Sequence, residues 1–122
     1  MLGGLAIAAF AQGDFTLARK YTKEGFTFFL KAGDHDGIAR TIGIFAVHMA
    51  AKDYTRAARL FGAAEAASAD AALLWLGLER AEYDQTVATV RTQLGEDAFA
   101  AAWASGRALT IEQAVAYALE EA

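Results

Sequence analysis

Gln12-Gly13-Asp14-Phe15-Thr16-Leu17-Ala18 returns 39 residues later as Ala51-Lys52-Asp53-Tyr54-Thr55-Arg56-Ala57, with acid, aromatic, threonine and alanine in the same order. The aspartate in each block suits the first position of a helix, where a short acceptor side chain satisfies an exposed backbone N–H. The aromatic plugs the turn, and the small Ala18 and Ala57 let two helices approach closely. Each block is preceded by an apolar helical stretch and followed by an aromatic-rich one. A repeat of about 40 residues built from two helices is the signature of an α-solenoid, in which each pair buries its apolar faces only by stacking on its neighbours.

Outward from the two blocks, the chain reads as helix pairs. Residues 2–12 are apolar almost throughout and end at Gly13-Asp14. A second helix is expected from Phe15 to about Ala32, with Phe15, Ala18, Tyr21 or Thr22, Gly25 or Phe26 and Phe29 on one face and Arg19, Lys20, Lys23, Glu24 and Lys31 on the complementary one. Gly33-Asp34-His35-Asp36-Gly37 reads as a tight turn. A third helix follows from Ile38 to Ala51 and a fourth from Tyr54 to Ala69. The domain is thus predicted as one helical unit over 1–122, with hairpins at 2–32 and 38–69 and a C-terminal helical cap over 79–121, about seven helices in all. Within the cap, Gly95-Glu96-Asp97 ends one helix and places two carboxylates at the start of the next. Thr110-Ile111-Glu112-Gln113 has the spacing of a capping box.

Composition agrees with this reading. The 122 residues suffice for one domain with a sizeable core, and 31 of them are alanine, the strongest intrinsic helix former. There is no cysteine and no proline, so disulfides, thiolate metal sites and thiol nucleophiles are excluded. The formal charge of −4 is unevenly spread, +3 over residues 1–62 and −7 over 63–122. An acidic C-terminal half argues against a nucleic-acid surface, since phosphate binding needs a cationic face. The apolar start lacks a basic leader and breaks at Gln12, and no window approaches the ~18 consecutive apolar residues of a membrane span. The expected location is the cytoplasm.

Gln12-Gly13-Asp14-Phe15-Thr16-Leu17-Ala18 resembles the turn of the tetratricopeptide repeat, and Ala51-Lys52-Asp53-Tyr54-Thr55-Arg56-Ala57 resembles it with Lys52 in place of the turn glycine. Further along, residues 58–66, Glu79-Arg-Ala-Glu-Tyr83 and the run from Leu94 to Leu119 are similar to the C-terminal end of bacterial LuxR-type and predicted-ATPase (STAND) signal-transduction regulators. In those regulators an array of long tetratricopeptide-like repeats follows an effector domain and a nucleotide-binding switch. The resemblance implies an all-α, tetratricopeptide-like α-solenoid of antiparallel hairpins closed by a helical cap. It also implies a non-enzymatic interaction or scaffold module, the sensor end of a transcriptional regulator. Neither a phosphate-binding loop nor a DNA-recognition helix occurs in these residues. One departure is Ala72-Leu73-Leu74-Trp75-Leu76-Gly77-Leu78, where the family carries a short link.

No catalytic constellation is expected. His35 and His48 lack the i, i+4 spacing of a helical metal pair, and Asp34-His35-Asp36-Gly37 opens like a calcium loop but puts Phe45 where a bidentate Glu is required. Ser68 and Ser105 sit in no nucleophile elbow. No metal or cofactor is expected. The expected partner is a protein or peptide. By family analogy Ile7, Phe10, Ala46 and Met49 would line the concave wall of the array. Leu74, Trp75 and Leu76 form either a lid packed back on the helices or an exposed partner patch anchored by Trp75, and both readings stand open. The first helix has no repeat before it, which predicts a homodimer through the N-terminal helices. Two alternatives remain: a freestanding tetratricopeptide adaptor, or a small-molecule effector-binding domain using Tyr21, Arg40 and His48.

Overall fold

Three aspartates start three helices in the same way. Asp14 accepts a hydrogen bond from Leu17 N at 3.0 Å, Asp34 from Gly37 N at 2.9 Å and Asp53 from Arg56 N at 3.0 Å. Each satisfies one backbone donor that the first helical turn leaves without an intrahelical acceptor. In the computed structural model, which describes residues 8–9, 11–50, 52–68 and 78–119, these caps open α1 (Phe15–Ala32), α2 (His35–Met49) and α3 (Tyr54–Ala67). Ala8, Ala9 and Ala11 precede them in helical conformation. The chain continues with α4 (Leu78–Leu94), α5 (Glu96–Arg107) and α6 (Ile111–Leu119), and no strand occurs among the described residues. The all-helical class expected from the sequence is the class observed.

Three boundaries differ from the expectation. The turn after α1 is shorter than Gly33–Gly37, because the Asp34 cap lets the helix begin at His35 rather than Ile38. Only Gly33 turns the chain, at φ 69°, a left-handed conformation that glycine adopts without penalty, and its N–H returns to Leu30 O. The second repeat has no such glycine and closes differently. Ala50 stays right-handed, Lys52 N donates to Met49 O at 2.9 Å and Asp53 N to Ala50 O at 3.2 Å. Lys52 therefore escapes the left-handed strain, and its ammonium sits 4.2 Å from the centre of the Phe15 ring. The other differences are that α2 ends at Met49, not Ala51, and that α3 ends at Ala67, not Ala69.

Helices α1, α2 and α3 pack in chain order, α2 against both neighbours. The core runs between them through Phe26, Ile38, Ile42, Leu60 and Phe61, all at most 1 % exposed. α3 is the hub, touching α2, α4, α5 and α6. Its neighbours cover most of its surface, and Arg56, Ala57, Ala58, Leu60, Phe61, Gly62, Ala63 and Ala64 are buried. Its widest contact is with α5. There the backbones nearly touch: a Cβ on Gly62 would lie 2.2 Å from Trp103 O, and one on Gly106 would lie 1.8 Å from Arg59 O. The glycine hydrogens point at those carbonyls, the arrangement of a Cα–H···O contact. α4 is fixed to α3 by Tyr83, whose ring meets Phe61 edge-on at 5.1 Å and whose hydroxyl donates to Glu65 at 3.1 Å.

α6 opens with the expected capping box, Thr110 N donating to Gln113 Oε1 at 2.9 Å and Gln113 N to Thr110 Oγ1 at 3.1 Å. It then lies across α1, α2 and α3. The last described helix folds back over the first three.

Candidate interaction surface

Among the described residues Phe28 and Leu30 are the large apolar side chains left open, 62 % and 43 % exposed. Both stand in the last two turns of α1. The cause is local: Phe28 and Phe29 are adjacent, 100° apart on a helix, so the face that turns Phe29 inward turns Phe28 out. Phe29 covers Gly37 so closely that a Cβ there would lie 2.5 Å from its ring. Phe28 meets Phe29 edge-on, with ring centres 5.4 Å apart. Leu17 and Tyr21, half-buried against the core, continue the Phe28 side of the helix at i, i+4 and i+11. Around this stripe α1 carries exposed Lys20, Lys23 and Lys31 against the single carboxylate of Glu24.

The same end of the molecule holds a half-open cavity of about 140 Å³, lined by His35, Ala63, Ala66, Ala67, Leu109, Thr110, Ile111 and Ala114. It forms where α2 starts, α3 ends and α6 starts. Alanines make it, because α3 and α6 present methyl groups where larger side chains would fill the gap. Asp34, Asp36 and Glu112 are exposed beside the lining residues in sequence. Ser68 Oγ donates to Asp36 at 3.3 Å, tying the end of α3 to the start of α2.

At the opposite end of α3 lies a polar clamp that the sequence did not announce. Arg56, 7 % exposed, donates through Nη2 to the Tyr117 carbonyl and stacks its guanidinium 4.6 Å from the Tyr117 ring centre. Arg59 Nη1 reaches the Tyr117 hydroxyl at 3.4 Å. The carbonyls ending a helix lack intrahelical donors and carry partial negative charge, so a cation there both satisfies and neutralises α6. Chemically this clamp is an anchor for α6.

The expected site residues fall in different places. Ala46 is wholly buried and Met49 is 6 % exposed, both within the core. Ile7, Phe10, Leu74, Trp75 and Leu76 lie outside the described residues. Tyr21 is half-buried on α1; His48 is half-buried on α2, with Nδ1 2.8 Å from Ile44 O, and Arg40 is exposed on the same helix. Eight residues of helix separate Arg40 from His48, about 12 Å of rise, and none of the three lines the cavity. Phe28 and the cavity escaped the sequence reading. The paired aromatics at 28 and 29 were the available signal for the first; alanines drawn from separate helices leave no signal for the second.

No family model matches the chain, and neither the curated proteins nor the solved structures yield a match.

Proposed function

We propose that this chain is a non-enzymatic protein-interaction module. On this reading its hairpins are stacked in the manner of a tetratricopeptide-like solenoid, as in the C-terminal sensor region of a bacterial signal-transduction regulator. The observation that carries the proposal is the apolar stripe of Leu17, Tyr21 and Phe28, which leaves the core and ends on an exposed aromatic within a basic helix face. An aromatic of that size held open to water at the end of a rigid helix is an anchor in search of a pocket. The 39-residue repeat and the resemblance to regulator C-termini support the same reading. The cavity of about 140 Å³ is small beside the ~300–1,000 Å³ of ordinary ligand sites, which favours side-chain docking over effector binding.

Affinity capture with the intact chain and with Phe28→Asp tests the proposal. Phe28 is exposed, so the variant keeps its helical circular dichroism. Proteins recovered with the wild-type chain and lost with the variant are expected. Identical recovery by both would overturn the reading.

A further inference from the structure

We infer that the flank of α1 turned away from Phe28 is a docking row for an acidic segment of a partner protein, with Arg19, Lys23 and Lys52 receiving its carboxylates and Leu30 an apolar side chain beside them. This is a second surface, independent of the Phe28 anchor. At about 100° of turn per residue, Arg19, Lys23 and Leu30 stand in line at i, i+4 and i+11. That line lies roughly 160° around the helix from the line of Leu17, Tyr21 and Phe28. Phe15 begins the same side one turn before Arg19, and the Lys52 ammonium sits 4.2 Å from the centre of its ring. From Phe15 to Leu30 the helix rises about 22 Å.

The first support is an uncompensated cation. Arg19 is half-buried, its Nε–H is withdrawn from solvent and has no acceptor. Among the described residues its side chain makes no hydrogen bond and no ion pair, and Lys23 and Lys52 form no ion pair either. The guanidinium instead lies 6.0 Å from the centre of the Phe45 ring. A cation partly removed from water without a counter-charge is costly to hold. A carboxylate arriving at its open edge supplies that charge through a charge-assisted hydrogen bond.

The second is repulsion within the row. Like charges at i, i+4 repel, as Arg19 and Lys23 do, and Lys52 adds a third cation on the Phe15 side. The carboxylates nearest in the chain, Asp14 and Asp53, are turned to cap helices, on Leu17 N and Arg56 N at 3.0 Å. Residues 1–13 hold no acid. A complementary negative charge converts this repulsion into attraction.

The third is form. Lys52 over Phe15 and Arg19 against Phe45 are cations held near aromatic rings, which reduces the side-chain freedom lost on docking. A single row ending on Leu30, 43 % exposed, matches one amphipathic acidic segment. A phosphate-rich surface asks for a broad cationic face, and the neighbouring side of α1 carries exposed Glu24.

Fluorescence anisotropy of the intact chain tests the inference, with a labelled alanine-rich helical peptide bearing glutamates and then a leucine along one face. The comparison probes are the same peptide with glutamine for glutamate, a single-stranded oligonucleotide and phosphatidylserine vesicles. The acidic peptide should bind at least ~10-fold more tightly than the glutamine peptide, and salt should weaken it. Arg19→Gln should cost ~10-fold, the loss of one interfacial charge contact, with Arg19→Lys recovering only part because the planar fork is lost. Lys23→Gln and Lys52→Gln, at exposed positions that leave the fold intact, should each weaken binding. Arg107→Gln, exposed on α5, should leave it unchanged and so separates the row from net charge.

Equal binding of the acidic and glutamine peptides overturns the inference, as does equal binding by wild type, Arg19→Gln, Lys23→Gln and Lys52→Gln. A preference for the oligonucleotide or the vesicles over the acidic peptide overturns it in favour of a phosphate site. A wild-type chain that binds no probe also overturns it. If in that case the acidic peptide binds once Glu120→Gln and Glu121→Gln are combined, the row serves the chain's own acids and no partner.

Discussion

Arg56 illustrates how one side chain can join distant parts of a chain through several weak terms at once. Its backbone N–H is satisfied by the Asp53 cap, its guanidinium donates to the Tyr117 carbonyl, and the same planar group lies over the Tyr117 ring. Lysine could supply the charge but not the planar stacking. Arg56→Ala should lower unfolding stability by about 2 kcal/mol, within the range for a charged hydrogen bond, with Arg56→Lys recovering less than half. Urea denaturation followed by circular dichroism measures both, and equal stability of Arg56→Ala and wild type would deny the clamp its role. At this scale the sequence was a partial guide. The three aspartate caps and the Thr110–Gln113 box follow from local spacing, because both partners lie within one helical turn. The Arg56–Tyr117 bond spans 61 residues and has no local mark.

Among elements, the α3–α5 crossing decides how the two ends of the chain meet. At its tightest points Gly62 on α3 meets the Trp103 carbonyl on α5, and Gly106 on α5 meets the Arg59 carbonyl on α3. Carbonyls cannot rotate away as side chains do, so a methyl group at either glycine must push the helices apart. Overpacking a dense interior costs ~1–3 kcal/mol and occasionally more. Gly106→Ala and Gly62→Ala are both expected at or above the top of that range, despite the higher helix propensity of alanine. A melting temperature for Gly106→Ala equal to or above that of wild type would show that the crossing is looser than described. Helix extents were legible from periodicity, α1 to the residue. The identity of the glycines as contact points was not, since a glycine within a helical pattern reads only as a small propensity cost.

For the whole molecule, the fold-back of α6 over α1, α2 and α3 makes stability a shared property. The amides of α6 are expected to exchange with solvent at the same opening free energy as those of α3, although α6 has only nine residues and would be marginal alone. Residue-resolved hydrogen exchange under native conditions checks this, and α6 opening several kcal/mol more easily than α3 would refute it. The class of the fold was readable because alanine content, caps and repeat spacing all point the same way. How the helices meet was less readable, because alanine marks a close contact on any side and so distinguishes none. That ambiguity is also why the cavity at His35 stayed hidden, and why Ala46 and Met49, assigned to an accessible wall by analogy, occupy the core.

Synthesis of this protein inherits a delay from the same arrangement. The first three helices emerge from the ribosome with one broad apolar side uncovered, and the segment that shields it is made more than forty residues after α3 is finished. At translation rates of ~5–20 residues per second that side faces solvent for seconds, long enough for a chaperone to engage it. Nascent chains arrested before residue 111 should accordingly be the chaperone-bound ones.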